Sequence, residues 1–183
     1  MINVTFITGN DKKAEFLSKY LGLELPHKKL DLDEIQSLDL RQITEHKVRQ
    51  AYNIIKGPVL VEDISFILKP MGRLPGPLIR WFLDELNVEG LCRLADLYGD
   101  RRALAEVCYA YFDGKTLKFF EGKLEGSVAD KPRTDDGFGW NRIFIPAGQT
   151  KANSEMAEEE ILRYSLRTAT VYPRLKKFLL KLN

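Results

Sequence analysis

Residues 1–63 alternate between β-branched runs and helical patterns, and this alternation restricts the chain to an α/β arrangement. "INVTFIT" reads as a buried strand that ends at Gly9-Asn10. "DKKAEFLSKYLG" follows as a helix, with Phe16, Leu17, Tyr20 and Leu21 on one face and Gly22 as its stop. "LELPHKKLDLDEI" reads as an extended segment. "DLRQITEHKVRQAYNII" carries Leu40, Ile43, Val48, Ala51 and Ile55 at near-helical spacing. "GPVLVED" is an apolar strand expected to stop at its two acids.

The rest of the chain adds two helices and a hairpin. "GRLPGPLIRWFLDEL" joins a rigid Pro/Gly turn to a helix, and "VEGLCRLADLYG" is another. Residues 101–128 are two alternating strands around "DGK", a hairpin signal. "GFGWNRIFI" reads as a further strand, and the C-terminal segment as a helix kinked near Pro173. With no linker or repeat, residues 1–183 read as one domain: a central mixed sheet with surrounding helices, arranged in two lobes.

Composition excludes several functions. The 28 basic and 26 acidic side chains nearly cancel, which argues against nucleic-acid binding. No stretch approaches the ~20 apolar residues of a membrane span, and the N-terminus has no signal-peptide pattern. Two histidines rule out a His-rich metal site. Cys92 and Cys108 lack metal-ligand spacing and read as reduced core thiols, so a cytoplasmic setting is expected.

Three places could carry chemistry. At the strand–"TGN"–helix junction, a glycine lets backbone N–H groups approach an anion, and the helix N-terminus favours negative charge. Lys12 and Lys13 lie where a structural helix prefers acids, so the junction is a phosphate site or an ordinary turn with solvated lysines. Glu62 and Asp63 at a strand end, with Asp31, Asp33 and Glu34 in "DLDEIQ", suit a hard cation such as Mg2+, or are simply solvated. In "RLPGPLIRWF", Arg80 could reach phosphate or stay in water, whereas Trp81 is expected in the core. Trp140, between a glycine and polar residues, could stack on a flat ligand or serve the core.

Together, "FITGNDKKAEF", "LDLDEIQ", "GPVLVEDISF", "GRLPGPLIRWFLDEL", "GFGWNRIF" and "SEMAEEE…YSLRTA" resemble the inosine triphosphate pyrophosphatase family, in order and over nearly the whole chain. The resemblance implies an elongated mixed α/β sheet with two lobes around a nucleotide cleft. It also implies Mg2+, a homodimer, and cleavage of deaminated purine nucleoside triphosphates into a nucleoside monophosphate and pyrophosphate. By position, Thr8, Gly9, Asn10 and Lys13 match the family's triphosphate loop, and Glu34 its metal-binding acid. Glu62 and Asp63 match its acidic pair, with Asp63 and Lys13 as the catalytic groups. Arg80 stands at a phosphate-binding lysine. Phe138, Gly139, Trp140 and Asn141 match the base-binding segment, and Ser165 and Arg167 part of a Ser-His-Arg triplet near the base.

The departures cluster at the base. Asn141 replaces an Asp, Arg142 a Pro, Ile161 a Lys and Leu166 a His, and Ile64 stands at a common Thr. Loss of these polar groups implies altered or relaxed base preference. The alternative is a catalytically impaired nucleotide-binding protein.

Overall fold

The computed structural model describes residues 3–182. Met1, Asn183 and Ile2, the head of the expected first strand, lie outside the described residues. Seven strands form one mixed sheet in the order β2-β1-β3-β5-β6-β7, with β4 paired to β3. The chain divides into two compact units: Met1–Asp63, Val107–Glu121 and Val171–Asn183 make the first, and Ile64–Glu106 and Gly122–Thr170 the second.

In the first unit, β1 (Thr5–Ile7) lies parallel to β2 (His27–Lys28) and to β3 (Val59–Leu68). Helix α1 (Asp11–Leu21) starts where the Asn10 side chain accepts a hydrogen bond from the Lys13 amide. It stops at Gly22, whose φ of 69° suits glycine. Its Ala14, Leu17 and Leu21 are buried. Helix α2 (Leu40–Ile55) is capped by Asp39, which accepts from the amides of Arg41 and Gln42. Val48 and Ala51 of α2 pack with Ile7, Val59, Val61 and Ala110. The expected β-α-β-α-β order is therefore the observed one.

β3 does not stop at its acids. Glu62 and Asp63 are the fourth and fifth of its ten residues, because "ISFIL" resumes the apolar, β-branched pattern and pairs onward with β4 (Pro75–Gly76). The hairpin is as expected: β5 (Arg102–Phe112) and β6 (Leu117–Val128) flank a turn in which Asp113 accepts from the amides of Lys115 and Thr116.

In the second unit, α3 (Ile79–Tyr98) holds both expected helices, broken at Asn87, whose φ is 56°. Trp81 is 67 % exposed, which corrects its expected core position. Ile79 takes the buried side of the helix, and two residues at about 100° each place Trp81 opposite it. The tryptophan in this unit's core is Trp140, stacked on Phe66 at 4.9 Å and edge-on to Phe144. "GFGWNRIFI" is not one strand. Gly139 has φ 54°, so Gly139–Arg142 coils into a 3-10 turn, and only β7 (Phe144–Pro146) pairs, with β6.

The C-terminal helix is three pieces: α4 (Glu158–Tyr164), α5 (Leu166–Thr170) and α6 (Tyr172–Leu179). Ser165 is extended, and Pro173 lies in the first turn of α6, where its missing N–H costs nothing. Pro173 begins a helix rather than kinking one. Cys92 and Cys108 are buried and unpaired, as expected. No helix among the described residues is long and apolar enough to cross a membrane.

Candidate active site

The first unit gathers most of the chemistry-bearing residues. In the loop after β1, the Thr8 hydroxyl accepts from the Asn10 amide at 3.1 Å, and Asn10 Oδ1 accepts from the Lys13 amide at 3.1 Å. Gly9 lies between them, against the stem of Lys29. The loop thus leads directly into the N-terminus of α1, the end of a helix that favours anions.

Side chains alternate across a strand, so neighbours on β3 face opposite ways. Leu60 and Glu62 share a face with Phe6 and Tyr109, whereas Val61 and Asp63 share the other with Ile7 and Ala110. The acidic pair is therefore split. Glu62 Oε1 accepts from Lys13 Nζ of α1 at 3.1 Å, and its Oε2 accepts from the Tyr109 hydroxyl. Asp63 Oδ2 accepts from Lys47 Nζ of α2 at 3.0 Å, and Glu34 Oε1 accepts from the same ammonium at 3.1 Å.

Lys47 was absent from the sequence candidates, yet a signal existed. It sits four residues from both Ile43 and Ala51, on the buried stripe of α2 where an apolar residue is the norm. Its side chain is 16 % exposed. Burial opposes the ammonium charge, but Asp63 and Glu34 outweigh it and hold the Lys47 pKa above the ordinary lysine value.

Glu34 and Asp63 thus converge on one positive charge. That donor set fits a hard divalent ion, which takes carboxylate oxygens and keeps positions for water and phosphate. Glu62 does not join them, and among the described residues no three His, Cys, Asp or Glu side chains form a ligand cluster.

The second unit holds the remaining candidates. Arg80 on α3 is largely exposed and pairs with Asp84 at 3.7 Å. Phe138 is 69 % exposed, while Trp140 beside Gly139 is buried. Asn141 Oδ1 accepts from Asn153 Nδ2 at 3.3 Å, and Arg142 Nε donates to the Thr134 carbonyl at 2.7 Å. Arg142 therefore fastens its own loop. The Ser165 and Thr168 hydroxyls share a hydrogen bond of 2.7 Å at the start of α5, and Arg167 is half-buried on that helix. Ile161 is half-buried and Leu166 fully buried, so the residue at the family's histidine position is a core side chain.

A mixed α/β sheet that sets a helix N-terminus, two lysines and three carboxylates in one unit has the chemistry to hold a polyanion and a hard cation. The family model of the Ham1 family matches residues 4–175. The chain is 39 % identical over 170 residues to inosine triphosphate pyrophosphatase 2 of Trypanosoma cruzi, covering 90 % of this chain and 86 % of that protein. It is 38 % identical over 162 residues to the inosine triphosphate pyrophosphatase of Schizosaccharomyces pombe, covering 86 % and 85 %. A Ham1 protein structure from Coxiella burnetii shares the fold, with a TM-score of 0.85 at 19 % identity over 99 % of this chain and 100 % of that one. The chain belongs to the Ham1 family.

Proposed function

We propose that this chain hydrolyses deaminated purine nucleoside triphosphates between the α- and β-phosphates, releasing a nucleoside monophosphate and pyrophosphate. The observation that carries the reading is the convergence of Glu34 and Asp63 on one cationic position, in a chain 38–39 % identical to proteins named inosine triphosphate pyrophosphatases.

In this reading the Thr8-Gly9-Asn10 loop and the α1 N-terminus bind phosphate oxygens, and Lys13 and Lys47 offset their charge. Glu34 and Asp63 hold Mg2+, which supplies polarisation of the phosphate when bound. Asp63, relieved of Lys47, orients the attacking water and accepts its proton. Arg80 can exchange its long contact with Asp84 for a phosphate oxygen. Phe138 supplies the exposed ring that Trp140 does not, and Gly139 the turn between them. Asn141, Ser165 and Arg167 contact the base. With its Oδ1 taken by Asn153, Asn141 offers an amide donor, unlike an acceptor-only carboxylate. Base preference is altered accordingly. The unpaired thiols suit a cytoplasmic setting, and the family resemblance supports a homodimer as the working form.

The test is pyrophosphate release across ITP, XTP, dITP and the standard ribo- and deoxyribonucleoside triphosphates with Mg2+. The expected result is turnover of the deaminated purines and of some standard nucleotides. No release from any of them would reduce the chain to a nucleotide binder.

A further inference from the structure

Glu62 and Lys13 form an unequal pair. The Glu62 side chain is 3 % exposed, whereas Lys13 is 29 % exposed. The lysine can turn toward an incoming phosphate; the carboxylate cannot turn toward water. A buried carboxylate must keep hydrogen-bond donors whichever way its lysine points, because an unpaired buried charge is strongly unfavourable.

Tyr109 is a donor that stays in place. It is fully buried on β5, its ring lies 6.2 Å from that of Phe6, and its hydroxyl donates to Glu62 Oε2. A phenol carries one proton, and a carboxylate only accepts, so this bond has a fixed direction. The Tyr172 hydroxyl lies 3.3 Å from that of Tyr109 and completes the chain by donating to it. Tyr172 is itself held at the start of α6 by the rings of Tyr20, at 4.9 Å, and Phe16. Each hydroxyl polarises the next, strengthening the bond that reaches Glu62.

We infer that Tyr109, backed by Tyr172, is a positioning residue for substrate binding. It holds Glu62 in one rotamer and shares its charge, so that Lys13 can exchange between Glu62 and a substrate phosphate. This rests on the proposed role of Lys13 as a phosphate ligand. Without the hydroxyl, Lys13 is bound more tightly to Glu62 and costs more to release. The loss therefore falls on binding rather than on the chemical step.

The experiment measures binding of a non-hydrolysable inosine triphosphate analogue, with a methylene between its α- and β-phosphates, by titration calorimetry with Mg2+. The proteins are wild type, Tyr109→Phe, Tyr172→Phe, Glu62→Gln and the Tyr109→Phe/Glu62→Gln double variant. Thermal unfolding is followed in parallel. Tyr109→Phe should weaken binding about tenfold, as loss of a hydrogen bond to a charged group does. Tyr172→Phe should act in the same direction by less. In the Glu62→Gln background, where no charge needs the hydroxyl, its removal should change Kd less than about twofold. In turnover assays Tyr109→Phe should raise KM and leave kcat nearly unchanged. The inference is overturned if Tyr109→Phe lowers the unfolding temperature without changing Kd, if it weakens binding equally in both backgrounds, or if the wild type binds no analogue. A wild type that binds the analogue with this pattern but releases no pyrophosphate removes the hydrolase reading and leaves this inference standing.

Discussion

Replacing Lys47 by Met tests the central feature of the site, because the aliphatic stem is retained and only the ammonium is lost. At 3.0 Å, Lys47 Nζ and Asp63 Oδ2 attract by about 5–6 kcal/mol at an effective dielectric constant near 20. Desolvation of two side chains that are 16 % and 18 % exposed offsets part of that attraction. Glu34, at 60 % exposure, adds under about 1 kcal/mol. The variant should lose about 2–3 kcal/mol in metal-free buffer. At about 2–4 °C per kcal/mol for a chain of this size, unfolding should fall by roughly 4–12 °C. The same change leaves Glu34 and Asp63 without the cation they share. Mg2+ should therefore stabilise Lys47→Met more than wild type; at tenfold above its Kd the gain is about 1.4 kcal/mol, which restores several degrees. Calorimetric unfolding with EDTA and with Mg2+ reads both effects. A variant as stable as wild type, or a Mg2+ shift no larger than wild type's, would refute the reasoning.

Asp63→Asn should lose most turnover while keeping triphosphate binding, since the amide retains hydrogen bonding but cannot accept the water's proton; near-normal pyrophosphate release would count against the role given to Asp63. Trp140→Ala should destabilise by about 3–5 kcal/mol through loss of the stack on Phe66, whereas Phe138→Ala should leave denaturant midpoints almost unchanged and alter KM for purine triphosphates. Burial pushes the Cys108 thiol up to about 12 from an ordinary value of 9.0. The unfolded thiol thus ionises first, and the contribution is intact below pH 9 and lost as pH rises toward 12. It should amount to up to about 1.4 kcal/mol per pH unit. Comparing denaturant unfolding of wild type and Cys108→Ala from pH 8 to 11 should show the shallower decline in the variant, and equal slopes would remove the thiol from the account.

Local grammar made the end of α1 legible, since Gly22 stops that helix where its chemistry favours; the caps Asn10 and Asp39 emerge only with the structure. β3 was misread at its end because two acids resemble a strand stop. Only the apolar run after them, paired with β4, shows that the strand continues. The two tryptophans differ. Ring size favours a core for Trp81, but helical phase exposes it; Trp140 was open between stacking on a ligand and a core role, and packing against Phe66 buries it. Gly139 was the better guide, since a left-handed residue excludes a regular strand through "GFGW". Lys47 was hidden by its type, because charged residues on helices are discounted as solvated. Its phase with Ile43 and Ala51 is the information that mattered.

The split of Glu62 from Asp63 follows from strand alternation alone, and it arranges the charges of the proposed reaction before substrate arrives. Each acid meets a lysine from a different helix, Lys13 from α1 and Lys47 from α2. Both carboxylates therefore have a cationic partner, and both lysines are held close to β3. A metal–triphosphate complex brings both signs of charge at once. On the proposed function, its phosphates can take the lysines as its metal takes Glu34 and Asp63, with Glu62 kept by Tyr109. No buried charge is then left unpaired at any stage. A triphosphate without metal could draw Lys47 away from Asp63 and Glu34 but would bring no positive charge in its place. On the proposed function, dependence on a divalent ion would thus follow from how the acids are paired, as well as from the chemistry at phosphorus.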